Sequence, residues 1–261
     1  MMSKKPTLGV YGFTGCAGCQ LAIIDCEDQL VDLFEAADIK VFYEAMSNND
    51  DEAEVDIALV EGSINTEKQK EELLEIRKKA KILVAFGSCA NYGCVQTMAN
   101  DDGKWAERFK KVYGDVKFTV GKAMEAQPIS NFVKVDVSIP GCSPSTPQML
   151  MAFTKLLNGN MPVYTNAPVC LECKFRENEC LLNKDILCLG PLTKGGCTAP
   201  CPTHNTGCVG CWGIIDEANH TAELKLMVEK GFKADDIIRK FSIFGGGKIT
   251  AKINELMEVV Q

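Results

Sequence analysis

The stretch TLGVYGFTGCAGCQ, residues 7–20, decides the fold. Its opening, TLGVYGF (7–13), reads as a strand. Two thiols, Cys16 and Cys19, follow at once. From Cys19 to Ala36 apolar residues recur at helical spacing, with Leu21, Ile24, Leu30, Leu33 and Phe34 on one side, so a helix is expected there. Strand, thiol loop and helix make the first part of a βαβ unit. Working outward, IKVFYEA (39–45) and VDIALVEGS (55–63) read as strands. Residues 66–79 read as a charged amphipathic helix capped at Asn65 or Thr66. KILVAFGSC (81–89) is a continuous apolar run, the pattern of a strand covered on both faces. Residues 132–139 give a further strand and 145–157 a further helix. The alternation implies an α/β fold with a doubly wound parallel sheet.

The texture changes near Asn158, which divides the chain into a domain at 1–158 and a smaller one at 159–261. From 160 to 213 the sequence is rich in Cys, Pro and Gly and shows little hydrophobic periodicity. A segment of that length is not expected as bare loop inside a compact domain. Something besides an apolar core must hold it, and metal ligation can supply folding energy. The tail from Asp216 to Gln261 returns to helix, broken by Gly245, Gly246 and Gly247.

Among 261 residues there are 14 cysteines but only two histidines, His204 and His220. A net charge of −7 without any basic cluster argues against a nucleic-acid partner. No apolar run reaches transmembrane length, so direct membrane insertion is not expected. The N-terminal MMSKKPTLGVYGF has neither a signal-peptide apolar core nor a twin arginine, which points to the cytoplasm. In that reducing compartment, cysteine-rich patterns bind metal more often than they form disulfides.

In an open α/β sheet, ligands bind beyond the carboxyl ends of the strands. Cys16 and Cys19 follow the first strand, Cys89 follows a later one in AFGSCANYG, and Cys142 follows the next in SIPGCSPS. All four thiols are thus delivered to one sheet edge, as a [4Fe–4S] cluster or a four-cysteine zinc site requires. A lone CxxC would also suit a thiol redox pair, provided its thiol were exposed and acidic. The second region holds eight more cysteines, the number needed for two all-cysteine cubanes. CLECKFRENECLLNKDILC offers Cys170, Cys173, Cys180 and Cys188. CTAPCPTHNTGCVGC offers Cys197, Cys201, Cys208 and Cys211, and its Cys–Pro at 201–202 matches ferredoxin ligand runs. Zinc is the structural alternative, but three four-cysteine zinc sites in one α/β chain would be unusual, so iron–sulfur is favoured. Cys26, seven residues past Cys19, is expected to share its helix face as a buried thiol outside the ligand set.

The order GCxGC, VEGS, GSCANYG, PGCSP, then CLGPLTKGGC and CVGC, resembles the small subunits of [NiFe] hydrogenases over roughly residues 7–213. The resemblance implies a flavodoxin-like first domain without flavin, followed by an irregular cluster-binding domain with terminal helices. It implies three [4Fe–4S] clusters: proximal on Cys16, Cys19, Cys89 and Cys142, medial on Cys197, Cys201, Cys208 and Cys211, and distal on Cys170, Cys173, Cys180 and Cys188. Glu61, in VEGS, would lie at the subunit interface near the proximal site, or else cap the turn after its strand. The implied activity is electron transfer, with no catalytic residue on this chain. The partners would be a [NiFe] hydrogenase large subunit and a flavin or iron–sulfur electron-acceptor subunit.

Three departures from the periplasmic branch of that family are informative. Cys170 stands where that branch has a distal histidine, Cys201 stands where it often has proline, and the twin arginine is absent. All three point to the cytoplasmic, heteromultimeric branch of sulfhydrogenase-like and methyl-viologen-reducing enzymes, and the short linkers resemble the sulfhydrogenase delta subunit. Cys94 occupies a position where some oxygen-tolerant relatives carry an extra cysteine, but their second extra position is Gly18 here, so Cys94 is expected outside the ligand set. Against hydrogen chemistry stands an iron–sulfur subunit of another respiratory or electron-bifurcating complex. The single-cluster form of that subunit typically has adjacent cysteines at its first motif and lacks the later eight. A zinc-stabilised interaction module is the non-enzymatic alternative.

Overall fold

The computed structural model describes residues 5–98, 100, 104–116, 122–215, 219–244 and 255. The glycine run at 245–247 and much of the expected tail helix lie outside the described residues. The chain divides into two compact units, Met1–Gly93 with Lys117–Val163, and Cys94–Val116 with Tyr164–Gln261.

The first unit contains β1 (Thr7–Gly12), α1 (Gly18–Ile24), α2 (Asp28–Ala36), β2 (Asp38–Phe42), β3 (Val55–Glu61), β4 (Ile64–Thr66), α3 (Glu67–Lys79), β5 (Ala80–Phe86) and α4 (Gly87–Tyr92). The intervening α5 (Trp105–Tyr113) belongs to the second unit. β6 (Ala123–Gln127), β7 (Val137–Ile139) and α6 (Thr146–Leu157) complete the first. Five strands form one parallel sheet in the order β2-β1-β3-β5-β7, the doubly wound, flavodoxin-like arrangement expected. β4 and β6 form a separate antiparallel pair.

The apolar runs are continuous because both faces are covered, and alternate residues serve different cores. Ile57, Leu59, Val84 and Phe86 pack with Ile23, Leu33, Met149 and Phe153 from α1, α2 and α6. Ala58, Val60, Leu83 and Ala85 pack on the other face with Leu73 of α3 and Ile129. Thr66 caps α3, its hydroxyl accepting the Gln69 N–H at 3.2 Å. Gln69 reaches back in turn to the Asn65 N–H at 3.0 Å.

Two expected elements are corrected, and one strand was not expected. The helix over 19–36 is two helices, α1 and α2, broken at 25–27, where Glu27 has a φ of 49°. The apolar spacing runs through the break because both pieces pack on one core. The strand over 132–139 shortens to β7, after a 3-10 turn at Ile129–Asn131. The short polar β6 carries no alternating pattern that would have announced it.

The second unit also contains α7 (Val169–Phe175), α8 (Pro200–Thr203) and α9 (His220–Glu229). Leu224 and Met227 of α9 pack with Ile237, Phe241, Leu189 and Leu192. A smaller buried cluster joins Val169, Leu181, Leu182 and Ala199 to the thiols of Cys188 and Cys208. Cysteines therefore form part of the core where periodicity was missing.

Candidate metal centres

Strand register builds the first site. Gly12 pairs with Glu61, Glu61 with Phe86, and Phe86 with Ile139, so β1, β3, β5 and β7 end in line. Cys16 and Cys19 follow the end of β1, Cys89 lies on α4 directly after β5, and Cys142 follows β7. Backbone bonds knit these loops together. Thr14 and Ser63 exchange two N–H···O bonds at 3.0 and 2.8 Å, and the Ser88 N–H donates to the Gly141 carbonyl at 2.9 Å. Gly87 opens α4 with a φ of +83°, and a Cβ there would stand 2.2 Å from Cys19 Sγ. Only glycine allows the Cys89 helix to come this close to Cys19.

Glu61, at the end of β3, is 2% exposed. Its two carboxylate oxygens accept the N–H groups of Cys19 and Gln20, each at 3.2 Å. It therefore satisfies two donors of the α1 first turn, which otherwise have no intrahelical partner. The sequence offered a cap on the turn after Glu61's own strand; the carboxylate instead caps α1, the thiol helix that follows β1. Burial pushes the Cys19 thiol far above its ordinary value, and the charges of Glu61, Cys89 and Cys142 push the same way. Cys19 thus feels the charges of Cys89 and Cys142, while Cys16 and Cys142 are exposed.

The second unit brings together two further sets. Burial pushes Cys170 up to about 12, with Cys188, Cys173, Glu223 and Cys180 adding to it. The Cys170 and Cys188 sulfurs both lie 3.4 Å from where a Cβ on Gly190 would stand. Burial pushes Cys197 up to about 12, opposed by the Ala199 N–H and reinforced by Glu172, Cys208 and Cys201. Burial raises Cys208 to about 11, against its hydrogen bonds with the Thr193 hydroxyl and the Gly210 backbone. The two sets touch, because the Cys208 N–H donates to Cys188 Sγ at 3.2 Å. Asn178 Nδ2 lies 3.6 Å from Cys173 Sγ.

All fourteen cysteines are described and none forms a disulfide. Cys26 lies in the turn after α1 instead of on the helix face of Cys19. It is 3% exposed in the shared core, and its Sγ donates to the Ala22 carbonyl at 3.3 Å. Cys94 is buried in a 3-10 turn, Cys94–Thr97. Among the described residues, no three His, Cys, Asp or Glu side chains are arranged around a single metal ion. A cubane places each thiolate on a different iron, so its ligands need not converge that tightly.

The donor sets fit such a group. Every donor is a thiol, and burial raises Cys19 in the first set, Cys170 and Cys188 in the second, and Cys197 and Cys208 in the third. An electropositive centre held there would take these thiols as thiolates and release their protons. Sequence reasoning missed Glu172, which stands between Cys170 and Cys173 but contacts the Cys197 set. A carboxylate between two candidate ligand cysteines was the available signal.

Comparison with known proteins agrees with this architecture. The NADH ubiquinone oxidoreductase 20 Kd subunit family matches residues 16–156. The sulfhydrogenase 2 subunit delta of Pyrococcus furiosus is 37% identical over 238 residues, covering 91% of this chain and 98% of that one. A subunit of the F420-non-reducing hydrogenase vhu of Methanocaldococcus jannaschii is 31% identical, covering 84% of this chain and 85% of that one. A chain of an NAD+-reducing [NiFe]-hydrogenase in its H2-reduced state superposes with a TM-score of 0.53 at 25% identity, covering 62% of this chain and 96% of that one.

Proposed function

The chain belongs to the NADH ubiquinone oxidoreductase 20 Kd subunit family, among its hydrogenase small subunits, and we propose that it is the electron-transfer subunit of a cytoplasmic [NiFe] hydrogenase carrying three [4Fe–4S] clusters. The carrying observation is the alignment of four strand ends that delivers Cys16, Cys19, Cys89 and Cys142 to one sheet edge. Such clusters, when bound, take up and release single electrons.

This chain's residues would hold them and set their surroundings. Exposure supports the order of the three sets. Cys16 and Cys142 are exposed in the first set and Cys180 in the Cys170 set. Cys197, Cys201 and Cys211 are half-buried and Cys208 is buried, so no thiol of that set is exposed. The first set would face a large subunit bearing the H2-activating site. The Cys170 set would face a flavin or iron–sulfur acceptor subunit, and the Cys197 set would serve as the intermediate step. In this reading the division at 1–158 and 159–261 separates the proximal site from the other two. Among the described residues no helix is long and apolar enough to cross a membrane.

A second reading comes from the matched family itself, whose description names an NADH–ubiquinone oxidoreductase subunit and whose match covers only the first thiol set. Metal analysis of the anaerobically purified native complex separates the two. Replacing Cys16 and Cys19, Cys197 and Cys201, or Cys170 and Cys173 by alanine should each remove about four irons per chain. Loss of iron from the first pair alone would leave the single-cluster reading. Zinc lost without iron would end both.

A further inference from the structure

One carboxylate belongs to one thiol set by sequence and to the other by contact. Glu172 lies between Cys170 and Cys173 on α7. Its Oε1 accepts the Gly196 N–H at 2.7 Å, and its Oε2 lies 3.8 Å from Cys197 Sγ. The surrounding frame fixes this aim. The Val169 N–H donates to the Thr193 carbonyl at 2.9 Å, and the Gly195 N–H donates to the Ala167 carbonyl at 2.6 Å. Gly196 has a φ of +126°, and the Trp212 ring occupies the space where a side chain would begin. The backbone that receives the carboxylate is therefore set by packing, and the Cys197 sulfur follows directly from it.

We propose that Glu172 is a positioning residue that lowers the redox potential of the centre held by Cys197, Cys201, Cys208 and Cys211. The proposal rests on the ligand sets assigned above. A negative charge beside a cluster opposes the arrival of an electron, and cluster potentials respond to local charge and to hydrogen bonding at sulfur. Glu172 is half-buried, so solvent screens it less than it would a surface carboxylate. Its bond to Gly196 gives it a second task, holding the Cys197 backbone at the site. A group that orients and tunes a ligand in this way acts from outside the ligand shell.

The test uses the native complex, purified anaerobically, with E172Q, E172D and E172A in this chain. Redox titration followed by electron paramagnetic resonance is read together with iron content. E172Q keeps an oxygen for the Gly196 N–H and removes the charge. It should retain full iron and shift one cluster's midpoint upward, leaving the other two in place. E172D keeps the charge and should lie nearer the wild type than E172Q does. E172A, which loses both roles, should raise the same midpoint and lower the occupancy of that cluster. Wild-type midpoints in E172Q would overturn the proposal, as would loss of iron in E172Q equal to that in E172A, since the residue would then be structural only. The signal that moves must be the one removed by replacing Cys197 and Cys201. If that pair removes no iron, the ligand assignment has failed, whatever Glu172 does.

Discussion

Replacing Gly87 by alanine tests whether Cys19 and Cys89 share a centre. Gly87 sits at a φ of +83°, which costs an L-residue roughly 1–2 kcal/mol. Overlap costs more. A Cβ at this position would stand 2.2 Å from Cys19 Sγ and 3.6 Å from Cys19 Cβ. Non-bonded heavy atoms are most stable at about 3.5–4.0 Å, so the sulfur and the new methyl must separate by more than about 1 Å. Forcing an extra carbon into a packed interior costs about 1–3 kcal/mol. The sum, roughly 2–5 kcal/mol, is relieved either by moving α4 with Cys89 or by moving α1 with Cys19. Both movements displace a ligand of the same candidate centre. We expect Gly87→Ala in the native complex to lose about four irons per chain while the other two centres keep their spectra. Gly159→Ala is the control. It carries a φ of +75° with nothing within 4 Å of the added carbon, so it bears only the backbone cost and should keep its full iron content. Full iron and an unchanged spectrum in Gly87→Ala would refute the reasoning, because Cys19 would not then be held where ligation needs it.

Two further perturbations address the frame around that site. Glu61→Ala leaves the buried N–H groups of Cys19 and Gln20 without their acceptor, at about 1–3 kcal/mol each. Glu61→Gln keeps one oxygen and should be milder, and anaerobic thermal unfolding with iron analysis should rank wild type above Gln above Ala; equal stability of all three would rule out the capping role. Asp136 accepts from the Leu83 N–H at 2.9 Å and pairs with Arg77 at 2.5 Å. Burial pushes its carboxyl up, but the Leu83 N–H and Arg77 outweigh that and hold it below the usual range. Because the folded-state value is depressed, its contribution is complete above the unfolded value of about 3.9 and is lost as pH falls through the folded one. Asp136→Asn should therefore lower stability by about 2 kcal/mol at pH 7, with the same gap at pH 5. A gap that shrinks between those two values would show that the carboxyl titrates higher than its partners imply.

The first site was legible in the sequence because a parallel sheet turns position along the chain into position in space. Once VDIALVE and KILVAF are read as central strands, their ends must lie side by side, and whatever follows them must meet. What the pattern hid was local. Asp25, Cys26 and Glu27 interrupt the first helix without a glycine or proline to mark the place, and Glu27 adopts a positive φ that its side chain does not advertise. Residues 132–136 looked strand-like by composition, yet the Asp136 side chain, bonded to Leu83 and Arg77, fixes the point where β7 can begin.

The second region follows a different logic. Its buried apolar clusters are small, and two of the residues that fill one of them are the thiols of Cys188 and Cys208. Hydrophobic periodicity had little to report there because packing is shared between carbon and sulfur. Cysteine spacing could divide the eight thiols into two fours, but it treats those fours as independent. In the fold they are tied in both directions. Glu172 reaches from the Cys170 run to Gly196 and Cys197, and the Cys208 N–H reaches back to Cys188 Sγ. A change at one set must therefore be felt at the other through groups that are not ligands. Under the electron-transfer role proposed above, those intervening groups would set how evenly the steps are spaced. Cysteine spacing would then mark the stations, and the carboxylate and amide between them would adjust their relative heights.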